Sequence, residues 1–197
     1  RPKILVTGAT GFLGGTMMEH LKGESVVGTT RNAESEVANQ LGLKQLNTEN
    51  IEETLRFITD NLPEKIFHFA GMPKPKDAEL YPEKTKIANV DSTLNLLAAI
   101  KHTRIIKPEY DPIVIVVGSV EQFGDPASKD QVFDEVSDRK PVNTYGDQKE
   151  EMSKKFLDLC REHDILGYVI IQGQSTGVSL SGEISQSKEF LIPQIGA

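Results

Sequence analysis

Short apolar runs alternate along the chain with stretches of helical periodicity. Ile4-Leu5-Val6-Thr7 is apolar or β-branched at every position, as suits a parallel strand covered on both faces, and residues 12–22 follow with a helical pattern. Ser25–Thr30, rich in Val and Thr, predicts a second strand, 33–41 a short helix and Leu43–Leu46 a brief third strand. Residues 50–60 form an amphipathic helix with Ile51, Leu55 and Ile58 on one side. Ile66–Gly71 is a fourth strand ending in small residues. Beyond a loop with Lys74 and Lys76, a long helix over 83–101 carries Ile87, Val90, Leu94 and Leu97 at steps of three and four. Pro112–Val117 is the most hydrophobic segment, which predicts a strand central in the sheet. A helix over 145–163, with Met152, Phe156, Leu159 and Cys160 on one face, and a sixth strand over Ile165–Ile171 complete the pattern.

Strands alternating with helices predict the α/β class: a doubly wound parallel sheet, or Rossmann fold, with helices on both faces. The first connection is the informative one. Gly8, Gly11 and Gly14 are spaced by three directly between a strand and a helix. That spacing supplies a tight bend, room for a pyrophosphate to approach backbone, and close helix packing. The helix beginning near Phe12 then aims unpaired N–H groups and a positive dipole end at the diphosphate. At the end of the second strand, an acid would serve the ribose of NAD, whereas an arginine can pair with the 2′-phosphate of NADP. The chain has Thr29-Thr30-Arg31-Asn32 and no acid before Glu34, which favours NADP over NAD and makes Arg31 the candidate phosphate ligand.

Composition narrows the partners. A formal charge of −7 and a pI near 5.2 argue against nucleic-acid or anionic-membrane surfaces. The absence of a signal-like or membrane-length apolar segment and the single cysteine, Cys160, point to a reducing cytoplasm. Cys160 reads as an inert packing residue. His68, inside an apolar strand with no partner spaced as a ligand set, reads as a hydrogen-bonded core histidine, and the acidic stretch 125–139 as a solvated excursion. No metal site is expected.

The remaining polar residues carry candidate chemistry. Ser119 and Glu121 stand at the carboxyl end of the most hydrophobic strand, on the side where the glycine turn lies. Tyr145 and Lys149 are four apart and project from one side of a helix. An ammonium and a cationic nicotinamide ring would stabilise the phenolate and bring its pKa down from about 10. Ser119 would donate to the same substrate oxygen as charge develops there. Asn89, within the long helix, is placed to bond backbone of the neighbouring strand.

These segments resemble the extended short-chain dehydrogenase/reductases: the sugar-nucleotide epimerases, dehydratases and reductases. Thr7–Gly14 is similar to the TGxxGxxG turn, His68–Gly71 to the HxAA strand end, and Asn89–Leu97 to the NVxGTxNLL helix. Gly118–Gly124 is similar to SSxxxYG, and Tyr145–Lys149 to YxxxK. The resemblance implies catalysis by Ser119, Tyr145 and Lys149, with Glu121 a further acid or base, and Lys149 also holding the nicotinamide ribose. It implies a dinucleotide held by Gly8, Thr10, Gly11, Phe12, Leu13, Gly14, Arg31, Asn47, Ala70, Gly71 and Asn89, together with Tyr145 and Lys149. Within the family, the segment Val27–Asn32 and Glu121 look most like the GDP-mannose 4,6-dehydratase and GDP-6-deoxy-4-keto-hexose reductase group.

The chain departs from that pattern in places. Asn47 stands for an adenine-contacting aspartate, Asp91 for a helix glycine and Phe123 for a tyrosine. Where Arg-x-Phe-Asn is expected after the sixth strand, the chain has Ile171-Gln172-Gly173-Gln174. The division expected is a dinucleotide-binding domain over 1–172 and the start of a truncated substrate-binding region over 173–197. The function expected is NADP(H)-dependent reduction of a nucleotide-linked 4-keto sugar, with Tyr145 as the acid. The alternatives are a 4,6-dehydratase or epimerase that recycles its NAD(P), and a non-catalytic NAD(P)-binding sensor or scaffold. The resemblance also implies a homodimer through a four-helix bundle of the helices at 83–101 and 145–163.

Overall fold

A computed structural model describes residues 2–128 and 130–173, together with the backbone of 177–178 and 184–185. The expected substrate region over 173–197 therefore lies almost wholly outside the described residues. There the structure describes an antiparallel pair, β7 (Gly177–Val178) with β8 (Ile184–Ser185).

Six parallel strands form the main sheet: β1 (Ile4–Thr7), β2 (Val26–Thr30), β3 (Lys44–Gln45), β4 (Lys65–His68), β5 (Ile113–Ser119) and β6 (Gly167–Gln172). Their spatial order is β3-β2-β1-β4-β5-β6, so the direction of winding reverses between β1 and β4. That is the doubly wound order, and the crevice where the strand order reverses is where this architecture receives ligands. The hydrophobic β5 is second from the edge of this sheet rather than at its middle. Its apolar character reflects cover on its faces, not its rank.

Side-chain alternation sorts the strands into two cores. Leu5 enters a core with Ile66, Val114, Ile58, Leu96, Ile100 and Phe156, built on α3 (Ile51–Asn61), α6 (Ser92–Ile106) and α7 (Thr144–Glu162). Val6, the next residue, enters a smaller core on the opposite face with Ala9, Ala38 and Leu43, under α1 (Phe12–His20) and α2 (Glu36–Gln40). Burying one leucine-sized side chain contributes about 1.5–3 kcal/mol, so the larger core dominates the stability of the domain.

Side chains fix where several helices begin. Ser35 Oγ accepts the Ala38 amide to start α2, and Asn50 Oδ1 accepts the Glu53 amide to start α3. Helix α7 is anchored twice: Asn143 Oδ1 accepts from Gly146 N at 2.7 Å, and Glu79 Oε1 from Thr144 N at 2.8 Å. Glu79 belongs to α4 (Pro75–Leu80), a helix in a stretch expected as loop, with Pro75 in its first turn and Lys74 as its N-cap. The single helix expected over 83–101 is also corrected. It divides into α5 (Pro82–Lys86), a π-helical turn (Ile87–Asp91) and α6, which runs on to Ile106. The widened turn holds Asn89 against the backbone beyond β4, a tertiary demand that periodicity does not carry.

Several strand limits move for a related reason. The fourth strand stops at His68, and Phe69–Gly71 leave the ladder. The fifth runs to Ser119, because Gly118 and Ser119 still pair with Ile171 and Gln172 of β6.

Candidate active site

The glycine turn is built as its spacing predicts. Gly8 has φ 66°, and a Cβ there would lie 2.7 Å from the Ala70 amide nitrogen. A Cβ on Gly14 would overlap the Gly8 carbonyl, so α1 can pack this closely only with glycine. The Ala9 amide donates to Thr29 O at 3.0 Å, fastening the turn to β2. Gly11, the N-cap of α1, is exposed and offers no side-chain cap, and no acid stands in the first turn. The amides opening α1 are therefore left for a ligand or water, as an anion-binding helix start requires. Thr10, Phe12 and Leu13 sit part-buried around this turn. These features fit a dinucleotide diphosphate.

A buried hydrogen-bond chain ties the ends of β1 and β4 to the π turn. The Ala70 amide donates to Thr7 Oγ1 at 3.2 Å, and Thr7 Oγ1 lies 2.8 Å from His68 Nδ1. Ser92 Oγ gives its one proton to Ala88 O, so the imidazole proton sits on Nε2 and the Thr7 hydroxyl donates to Nδ1. Nε2 faces Ser92 Oγ at 3.4 Å, which donates to Ala88 O at 2.6 Å. Each polar group is satisfied with His68 neutral. Burial, with the nearby Lys149 charge, pushes its pKa down to about 3. His68 is thus the hydrogen-bonded core histidine expected.

Asn89 brackets the segment after β4. Its Oδ1 accepts from Met72 N at 2.7 Å and its Nδ2 donates to Met72 O at 3.1 Å. A Cβ on Gly71 would stand 2.9 Å from that Oδ1, which explains the small residue there. Asn89 Nδ2 also meets Gln148 Oε1 at 3.3 Å, and Gln148 Nε2 donates to Pro82 O and Thr85 Oγ1 at 2.9 and 3.0 Å. Gln148, on α7, thereby locks the Tyr145 helix to α5.

Tyr145 and Ser119 come together. Both are buried, and the Ser119 side chain lies near enough to the phenol to favour the phenolate. That effect is outweighed: burial first, and the Glu121 charge second, push the Tyr145 pKa up to about 12. The lowering by an ammonium that the sequence suggested is not what this structure gives. Lys149 Nζ is 5.9 Å from the Tyr145 ring centroid and donates to Val117 O at 2.9 Å. Burial brings Lys149 itself down to about 8. Glu121 is held by Asn143, whose Nδ2 donates to its Oε2 at 2.8 Å.

The end of β5 is stabilised by a short 3₁₀ turn, Val120–Phe123. Ser119 Oγ accepts from Glu121 N at 3.2 Å, and Gln122 Oε1 accepts from Ser119 N at 2.7 Å. Gln122 Nε2 then donates to Glu150 on α7 at 2.9 Å. The acidic excursion is largely exposed, but two of its residues grip this turn. Phe133 stacks on Phe123 at 4.6 Å between centroids, and the Arg139 guanidinium lies 3.9 Å from the Phe123 ring centroid. Cys160 is buried, with its thiol pushed up to about 11 by that burial, in keeping with an inert packing role.

Sequence reasoning overlooked Gln122, Asn143 and Gln148. A signal existed for two of them: Ser119-x-x-Gln122 is the spacing of a capping box, and Asn143 stands directly before a helix. Arg31 and Asn47 lie apart from the Tyr145 cluster, at the carboxyl ends of β2 and β3. Asn47 Oδ1 accepts the Glu49 amide at 3.1 Å.

A match to the NAD dependent epimerase/dehydratase family runs over residues 4–185. The chain belongs to that family. Solved structures agree in fold. UDP-glucose 4-epimerase from Brucella ovis, in complex with NAD, superposes with a TM-score of 0.77 at 22% identity, over 92% of this chain and 55% of that one. dTDP-4-dehydrorhamnose reductase from Bacillus anthracis, in complex with NADP, gives 0.70 at 18% identity, over 88% and 54%. UDP-glucose 4-epimerase from Thermotoga maritima, with UDP-glucose, gives 0.71 at 22%, over 84% and 53%. The chain spans about half the length of these solved relatives. No helix among the described residues is long and apolar enough to cross a membrane.

Proposed function

We propose that this chain is the dinucleotide-binding part of an NADP(H)-dependent oxidoreductase that reduces a nucleotide-linked 4-keto sugar. The observation that carries the reading is the meeting of the buried side chains of Ser119 and Tyr145 at the carboxyl end of β5, with Lys149 one helical turn farther along α7. Gly8, Thr10, Gly11, Phe12, Leu13 and Gly14 would hold the diphosphate, Arg31 and Asn47 the adenosine end, and Ala70, Gly71, Asn89 and Lys149 the nicotinamide side. The dinucleotide, when bound, supplies the hydride to the keto carbon.

The remaining steps belong to the chain's own groups. With its pKa near 12, the Tyr145 phenol stays protonated at neutral pH and serves as the proton donor to the carbonyl oxygen. The Ser119 hydroxyl donates to that same oxygen and stabilises the charge that gathers on it. Lys149, cationic below about pH 8, would offset the negative charge that Tyr145 acquires when its proton leaves in the ternary complex. Glu121, fixed by Asn143, orients sugar hydroxyls.

A second reading is favoured by Glu121 itself. A carboxylate close enough to raise the Tyr145 pKa would serve to remove a proton beside a transient ketone, as a 4,6-dehydratase or epimerase requires. NADPH consumption separates the two readings. Incubated with dTDP-4-dehydrorhamnose, a reductase oxidises NADPH in step with substrate; incubated with UDP-glucose, an epimerase leaves the total unchanged. Tyr145→Phe should lower either rate by about a thousandfold or more while dinucleotide binding persists. Binding without turnover by the whole protein, on any keto-sugar nucleotide, would favour a sensor or scaffold instead. The same reading includes a homodimer through the helices at 82–106 and 144–162, and sedimentation as a monomer would count against it.

A further inference from the structure

One ion pair stands beyond the carboxyl ends of β2 and β3. Arg31 directly follows β2, two residues beyond the Thr29 carbonyl that receives the Ala9 amide of the glycine turn. Its Nη1 donates to Glu49 Oε1 at 2.6 Å. Both partners stand on fixed backbone. Gln45 Nε2 donates to Arg31 O at 2.8 Å, and Gln45 Oε1 accepts from Ala33 N at 3.1 Å. On the other side, Asn95 Nδ2 donates to Thr48 O and Glu49 O at 3.0 and 3.2 Å, and Asn47 Oδ1 accepts from Glu49 N. The side chains remain 53% and 25% exposed, so a ligand can reach them. Such mounting reduces the ordering cost that usually weakens a surface pair.

We infer that Glu49 is a specificity-determining residue, which engages the guanidinium a 2′-phosphate would need and so restrains the preference for NADP(H) over NAD(H). The inference rests on the dinucleotide reading of the glycine turn. A phosphate monoester carries close to two negative charges at neutral pH. To bind Arg31 it must displace the Glu49 carboxylate or share the guanidinium with it at close range, and either costs affinity. A 2′-hydroxyl meets no such cost and can donate to a carboxylate. Arg31 alone would favour the phosphorylated form strongly; Arg31 with Glu49 favours it modestly.

The test is equilibrium binding of NADPH and NADH, followed by cofactor fluorescence, to the full chain and to its Glu49→Gln, Arg31→Ala and double variants. Glu49→Gln keeps the side-chain shape and removes the charge. It should raise the NADPH to NADH affinity ratio by about fivefold at low salt, the scale of one exposed ion pair, with a smaller gain at physiological salt. The double variant should lose that gain. An unchanged or lowered ratio in Glu49→Gln, in a protein whose wild type binds dinucleotide, overturns the inference alone. Failure of the wild type to bind either dinucleotide overturns the reading of the glycine turn and this inference together.

Discussion

The Ser119 amide donates to Oε1 of Gln122 at 2.7 Å, and the Gln122 side chain is fully buried. The same oxygen accepts from Ser153 Oγ at 3.3 Å, while Nε2 donates to Glu150 at 2.9 Å. One carboxamide thus joins the end of β5 to the helix that carries Tyr145.

Replacing that carboxamide tests how much the junction matters. Gln122→Leu leaves the Ser119 amide and Ser153 hydroxyl without their acceptor in a dry site, and should cost about 2–3 kcal/mol in urea unfolding. Gln122→Glu keeps the acceptor but faces a second carboxylate at Glu150. It should be less stable than wild type at pH 7 and recover as the pH falls toward 5. Wild-type midpoints in both variants would show the junction to be incidental.

Turnover should depend on the Lys149 charge. With its pKa lowered to about 8, Lys149 is cationic below that value and neutral above it. Reductive kcat should therefore hold steady from about pH 6 to 7.5 and fall through pH 8. Lys149→Met should be slow and lack this step. A wild-type profile that stays level to pH 9.5 would refute the role given to this ammonium.

His68 makes the protein sensitive to mild acid. Its folded pKa of about 3 lies below the unfolded value of 6.5, so between these limits the unfolded chain takes up a proton that the native state refuses. The stabilisation is complete above about pH 6.5 and declines by about 1.4 kcal/mol per unit as the pH falls toward 3. Urea melts at successive pH values should show this slope. His68→Asn, less stable at pH 8, should show a shallower one.

Gly14→Ala should damage both fold and binding. The added methyl meets the Gly8 carbonyl, and relief requires α1 to move away from the turn. A loss of about 1–3 kcal/mol is expected from such overpacking. NADPH affinity should fall with it, whereas Gly23→Ala, strained by a φ of 94° but with open space around it, should lose stability and leave affinity unchanged. Equal affinities in the two variants would remove the case for a diphosphate seat at this turn.

Much of this architecture was readable because its causes are local. The apolar run Ile4–Thr7 followed by glycines at 8, 11 and 14 specifies a strand, a bend and a close-packed helix within eleven residues. Tyr145 and Lys149 share a helical side by spacing alone. What escaped depends on partners far along the chain. The Thr7–His68–Ser92 bonds, the Asn89–Gln148 contact and the Arg31–Glu49 pair each join separate elements. The rise of the Tyr145 pKa belongs to the same class, since it follows from burial and from Glu121. Helix α4 escaped for a different reason: a Pro–Lys stretch looks like loop until Pro75 is seen in the first turn.

The π turn at Ile87–Asp91 works as a phase shifter. One extra residue in a helical circuit advances everything after it by about 100°. Ahead of the shift Thr85 faces Gln148, and within it Asn89 faces the strip at Met72; after it, Leu96 and Ile100 face the large core. Shortening this segment by a single residue would give a more regular rod with one of its two faces misaimed, an error that no nearby substitution of side chains could undo.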